Sequence, residues 1–247
     1  MELLANYSAV QLAAALAAAL VSAFVRGLTG FGMAILLVPI LALALPPLEA
    51  VLLGNFLGLF IGLTEIRRYR RHAEKSALTI SAFVFVTTPL GLFALAATSP
   101  DMARFLIAMI ALSAFFAILL PRRAAEMPGH VATGSVGIVS GLMTGFAGMP
   151  GPPVVPFYVG RAIARETAKA SMLMVFTAAC IAGLVSGGVM GLLEWRLLAL
   201  ATLLFPAILV GNWLGQKASG HIGDAVWRAL VGLILAGAAG AALVRLV

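Results

Sequence analysis

Apolar residues run along this chain in long blocks, without the alternation of a strand or the stripe of a half-exposed helix. Ten blocks, separated by charge, proline or glycine, lie at approximately 9 to 25, 31 to 45, 48 to 65, 77 to 97, 102 to 120, 131 to 145, 150 to 160, 170 to 193, 197 to 215 and 225 to 244. A block that is apolar all round predicts a helix with no face turned to water. Crossing a hydrocarbon core of about 30 Å takes about 20 such residues, so most blocks read as membrane spans. The second, sixth and seventh are too short to cross comfortably and read as broken or re-entrant pieces.

Composition narrows this further. Of 247 residues, 62% are hydrophobic and 10% charged, with 26 glycines outside the apolar count; soluble domains carry about 25% charge. That excludes a soluble globular domain and a disordered chain. Glycine shows no three-residue period and Cys180 stands alone, which excludes a collagen and a disulfide framework. The N-terminal Met-Glu-Leu-Leu lacks the basic start of a secretory signal, so no cleaved leader is expected.

The net charge of +7 would suggest a nucleic-acid surface in a soluble chain, but its distribution gives it another meaning. If the blocks alternate across a bilayer, Arg67, Arg68, Arg70, Arg71, Lys75, Arg122, Arg123, Arg161, Arg165, Lys169 and Lys217 fall on one side. Arg104, Arg196 and Arg245 fall on the other. The positive-inside rule assigns the first side to the cytoplasm and both termini outside.

The chain also resembles itself. Val25-Arg26-Gly27-Leu28-Thr29-Gly30-Phe31-Gly32-Met33 matches Val139-Ser140-Gly141-Leu142-Met143-Thr144-Gly145-Phe146-Ala147-Gly148-Met149 after two single-residue insertions. Val38-Pro39 then pairs with Val155-Pro156, Glu49 with Glu166 and Pro89 with Pro206, all at an offset of 117, and Asp101 and Arg104 roughly match Asp224 and Arg228. Five blocks per half is an odd number, so the second half enters the membrane in the opposite sense. The expected fold is therefore an all-α integral membrane protein of about ten segments in a 5+5 inverted-topology repeat. Its parts are a first repeat at 1–121, a cytoplasmic linker at 122–130 and a second repeat at 131–247. Inverted repeats are characteristic of secondary transporters, whose sites lie near the midplane at paired broken helices; the plainer alternative is a duplication kept for packing.

The two glycine clusters fall at those breaks. Glycine lets the backbone bend and approach a ligand, and free amides at the starts of the second and seventh segments would form an anion-attracting concavity. The two repeat-matched clusters, with Thr29 and Thr144, are the candidates, against close small-residue helix packing. Arg26 stands beside the first cluster, where the second half has Ser140. A membrane-embedded arginine is costly unless paired or hydrated; no acid lies near it in sequence, so an anionic substrate is its candidate partner, against an anchor snorkelling to the cytoplasmic surface. Asn55 and Asn212 are amides within apolar blocks, suited to substrate or to helix–helix contact. Glu49 and Glu166 read as first-turn acids complementing helix dipoles. His72, His130 and His221 are scattered, Cys180 reads as a small buried residue, and no metal site, cofactor or nucleic-acid partner is expected. The sequence contains no carboxylate mid-segment for a proton relay, no phosphate-binding loop and no nucleophile–base set, so it does not read as an enzyme.

Gly27 to Pro39 and Gly141 to Pro156, in a five-plus-five layout around a basic central loop, resemble the TauE/SafE family of sulfite exporter-like permeases over essentially the whole chain. The resemblance implies an exporter of sulfite, a sulfonate or a related small sulfur-containing anion across the bacterial cytoplasmic membrane. It places Thr29, Gly30, Gly32, Thr144, Gly145 and Gly148 along the pathway; the reading of the residues themselves adds Arg26 as compensating charge and Asn55 and Asn212 as supports of the cavity. The expected partners are a small anion, the lipid bilayer and, in a coupled mechanism, a driving ion. An anion channel and a non-transporting scaffold or assembly protein are the alternatives. The second cluster, Met149-Pro150-Gly151-Pro152-Pro153, is unusually proline-rich for a symmetric half-site.

Overall fold

A computed structural model describes residues 7–119 and 129–218, together with 236, 240, 243 and 244. Among the described residues the secondary structure is helical: α1 (Ala9–Thr29), α2 (Met33–Ala44), α3 (Pro47–Thr64), α4 (Ile66–His72), α5 (Lys75–Ala96), α6 (Pro100–Leu119), α7 (His130–Ala147), α8 (Gly151–Val159), α9 (Arg165–Val189) and α10 (Trp195–Ala218). Nine of the ten expected segments coincide with helices to within a few residues. The tenth, at 225 to 244, lies outside the described residues except for 236, 240, 243 and 244, as do residues 122–128 of the linker, His221, and the Asp224 and Arg228 counterparts; the linker's last residue, His130, begins α7. A basic stretch expected as a connection forms the seven-residue α4. Among the described residues five helices are long and apolar enough to cross a membrane: α1, α3, α5, α9 and α10.

Local chemistry sets the ends. Ser8 and Gln11 form a capping box at the start of α1, which closes at Gly30 in the left-handed conformation. Pro47 opens α3 with its fixed φ. The two breaks fall at matched places: α1 gives way to α2 through Gly30 and Gly32 (φ 85° and 90°), and α7 to α8 through Gly148 (φ 65°). These positive φ values are cheap only for glycine. At 12 and 9 residues, α2 and α8 rise about 18 and 13 Å, roughly half a hydrocarbon core each.

Packing pairs α1 with α10 and α5 with α7, and places α3 against α9, α2 against α3 and α8 against α9. Glycine permits the two closest pairings. A Cβ on Gly27 or Gly215 would overlap the carbonyls of Asn212 and Phe24 across the α1–α10 contact, and one on Gly91 or Gly145 those of Leu142 and Thr88 across α5–α7. With little hydrophobic drive between helices in lipid, such backbone approach is what holds them together. Polar clusters close both ends of α3: at its start Glu49 accepts from Arg196 (2.9 Å) and Tyr7 (3.3 Å), and just past its end Glu65 accepts from Arg26 (2.8 Å).

Candidate functional site

Between α2, α3, α8 and α9 lies a cavity of about 660 Å³, counting its mouth. Both breaks reach it: Gly32 to Ile35 at the start of α2, and Gly148, Pro150 and Gly151 at the start of α8. One wall is the small-residue face of α3, Gly54, Gly58 and Gly62; opposite stand Leu173, Phe176, Thr177 and Cys180 of α9. The walls fit closely, since a Cβ on Gly58 would lie 2.6 Å from the Cys180 sulfur.

Among the described residues of this lining Arg26 is the charged one and there is no carboxylate. It is only 9% exposed. Its Nη1 donates to Asn212 Oδ1 at 2.9 Å and its Nη2 to Glu65 Oε1 at 2.8 Å. No acid lies near Arg26 in sequence, but the fold supplies one: Glu65, 39 positions away, is brought to it because α1 and α3 both pack on α2 and α10. The pairing offsets the cost of placing a guanidinium at the membrane.

Both short helices present their amino termini to the cavity, but unequally. Around Gly32, no side chain caps α2, so the amides of the first turn remain free for a guest. At α8, Pro150, Pro152 and Pro153 have no N–H, and Gly151 supplies the single amide of the first turn. The expectation of free amides at both breaks therefore narrows to α2. The α2 amino terminus and the Arg26 guanidinium, paired with Glu65, are the anion-attracting groups at the cavity.

The remaining candidates divide by position. Gly32 and Gly148 line the cavity with Arg26. Thr29 braces the α1–α2 turn, its hydroxyl bridging Phe31 N–H (3.2 Å) and the carbonyls of Val25 and Phe31. Gly30 forms the turn itself, close to the Lys169 side chain of α9. Asn212 reaches the site only through Arg26. Thr144 is fully buried and donates to Ser140 of its own helix (2.7 Å), and Gly145 faces α5. Asn55 is buried against Gly183 of α9, with Nδ2 making no hydrogen bond. Ser140, the counterpart of Arg26, ties α7 to the second break by donating to the Pro150 carbonyl (2.9 Å). Sequence reasoning passed over Glu65 and Thr177; the Gly54-Gly58-Gly62 spacing was the visible signal of the α3 wall.

A bundle of apolar helices, five of them among the described residues long and apolar enough to cross a membrane, is the architecture of a multi-pass membrane protein. The family described as Sulfite exporter TauE/SafE matches residues 14–242, nearly the whole chain, and the protein belongs to it. No curated protein and no solved structure matches.

Proposed function

We propose that this protein exports a small sulfur-containing oxyanion, such as sulfite or an organosulfonate, across the bacterial cytoplasmic membrane by alternating access. The observation that carries the reading is the convergence of the α2 amino terminus and Arg26 on one cavity, among whose described lining residues there is no carboxylate. Free amides and a guanidinium recognise sulfonate-type oxygens by charge-assisted hydrogen bonds. Arg26, Gly32 and the first α2 amides hold the anion; Asn212 orients Arg26; Thr29, Gly30 and Gly148 shape the breaks; Asn55, Thr144 and Gly145 support the surrounding helices.

The 5+5 inverted repeat, with halves at 1–121 and 131–247, belongs to the same proposal. It is supported by matched packing: α1 on α10 answers α5 on α7, and α2 on α3 answers α8 on α9. Rocking of one half against the other exposes the cavity alternately. The basic connections lie in the cytoplasm and both termini outside.

The test is twofold. Sulfite, taurine and methanesulfonate are titrated against purified protein, where a binding anion raises the unfolding midpoint with concentration. The anion that binds is then followed in proteoliposomes, where a carrier gives saturating flux and counterflow. Flux without saturation identifies a channel, and no anion-dependent shift or flux removes the transport reading.

A further inference from the structure

We propose that Glu65 is a built-in competitor for the transported anion, its carboxylate holding the Arg26 position that the anion's oxygens take over on loading. The inference rests on the anion-site reading above and concerns what occupies that site when it is empty.

Gly58, Ile61 and Gly62 lie on the cavity face of α3. Position 65 continues that face, seven residues beyond Gly58 and four beyond Ile61, so the helix delivers Glu65 to the end of the cavity where Arg26 stands. Glu65 Oε1 then receives the Arg26 Nη2 hydrogen at 2.8 Å, while the neutral Asn212 amide takes Nη1 at 2.9 Å. A guanidinium in this setting needs a counter-charge in every state. In the unloaded protein Glu65 supplies it.

An incoming oxyanion presents the same chemistry as the carboxylate, two or more oxygens in a fork matched to guanidinium. Both anions on one guanidinium face repel each other, so binding and the Glu65 contact exclude one another. The pair is largely buried, its side chains 10% and 21% exposed, so a guanidinium left with neither anion is costly and an incoming oxyanion must replace the carboxylate rather than follow its departure. The arrangement also selects for shape: an oxyanion replaces the two-pronged carboxylate, and a spherical halide replaces it poorly.

The test measures methanesulfonate and chloride affinity, from ligand-dependent unfolding midpoints, in wild type, Glu65→Gln, Glu65→Asp, Arg26→Gln and the double variant Arg26→Gln/Glu65→Gln. Ligand-free midpoints check that each is folded. Glu65→Gln, which keeps the shape and removes the charge, is expected to tighten methanesulfonate binding about fivefold, equivalent to about 1 kcal/mol at 1.4 kcal/mol per tenfold. Glu65→Asp keeps the competitor and stays near wild type. The gain vanishes in the Arg26→Gln background, and chloride affinity changes little. If Glu65→Gln binds methanesulfonate no more tightly, or the gain persists without Arg26, the competitor role is wrong while the anion site stands. If wild type and every variant ignore the anion, the site reading itself fails.

Discussion

Replacing Gly32 by alanine tests the geometry of the first break. At φ 90° and ψ 1° its backbone matches the third position of a type II turn, which glycine takes freely and asparagine tolerates. Nothing lies within 4 Å of where a Cβ would sit, so Gly32→Ala meets no steric obstacle and its cost is purely conformational. Left-handed backbone costs an L-residue about 1–2 kcal/mol, and the stiffer unfolded chain returns about 0.4–1 kcal/mol, leaving a net loss of about 1 kcal/mol. Gly32→Asn should recover part of that. Gly27 makes the opposite demand. It is helical, so alanine there improves helix propensity by about 1 kcal/mol, but its Cβ would overlap the Asn212 carbonyl and lie 2.8 Å from Gln216 N and 2.9 Å from Gly215 Cα. Forcing α1 from α10 should outweigh the propensity gain at the usual overpacking cost of about 1–3 kcal/mol, and asparagine should be worse than alanine. The assay is unfolding of the purified protein in mixed micelles with increasing denaturing detergent, read by helix signal. If asparagine rescues at 27 and not at 32, the assignment of turn and packing glycines is wrong.

Three further outcomes follow from the same coordinates. Arg161 makes a two-pronged contact with Glu74 (2.7 and 3.4 Å) and lies 5.3 Å over the Phe157 ring; Arg161→Lys should still lose about 1 kcal/mol of stability, since a point charge cannot reproduce the fork, and an unchanged midpoint would contradict this. Removing the unbonded buried amide in Asn55→Leu should raise ligand-free stability by about 1 kcal/mol, whereas a clear loss would show that Asn55 has a partner. Burial, followed by the nearby Glu49 carboxylate, pushes the Tyr7 hydroxyl up to about 12 from 10.0. A group raised in this way contributes stability that is complete below pH 10 and lost as pH rises toward 12. The phenolate absorbance difference between wild type and Tyr7→Phe should therefore titrate near 12 rather than 10.

Element positions were legible because membrane helices announce themselves by block length, and the breaks because glycine and proline interrupt blocks in matched places. The partition of the glycines was not. Gly32 and Gly145 look alike in sequence, yet one opens on the cavity and the other is pressed on the Thr88 carbonyl, because helix rotation decides which face meets which neighbour. The Arg26–Glu65 pair was hidden for a related reason: residues 39 apart become neighbours only when α1 and α3 are both packed on α2 and α10. Conversely, the missing amides of α8 follow directly from three prolines read in sequence, and the structure shows what they change, a cavity whose anion-facing donors come chiefly from α2.

Sulfite flux through Gly151→Leu addresses the cavity most directly. A Cβ at Gly151 meets only Val155 at 3.8 Å and Phe176 at 3.9 Å, ordinary contacts, so a leucine starts there without overlap and adds bulk to the cavity lining at the second break. In proteoliposomes of equal protein content, the account predicts that Gly151→Leu keeps a wild-type unfolding midpoint and loses at least nine-tenths of sulfite flux, about 1.4 kcal/mol or more. Wild-type flux through Gly151→Leu would contradict it.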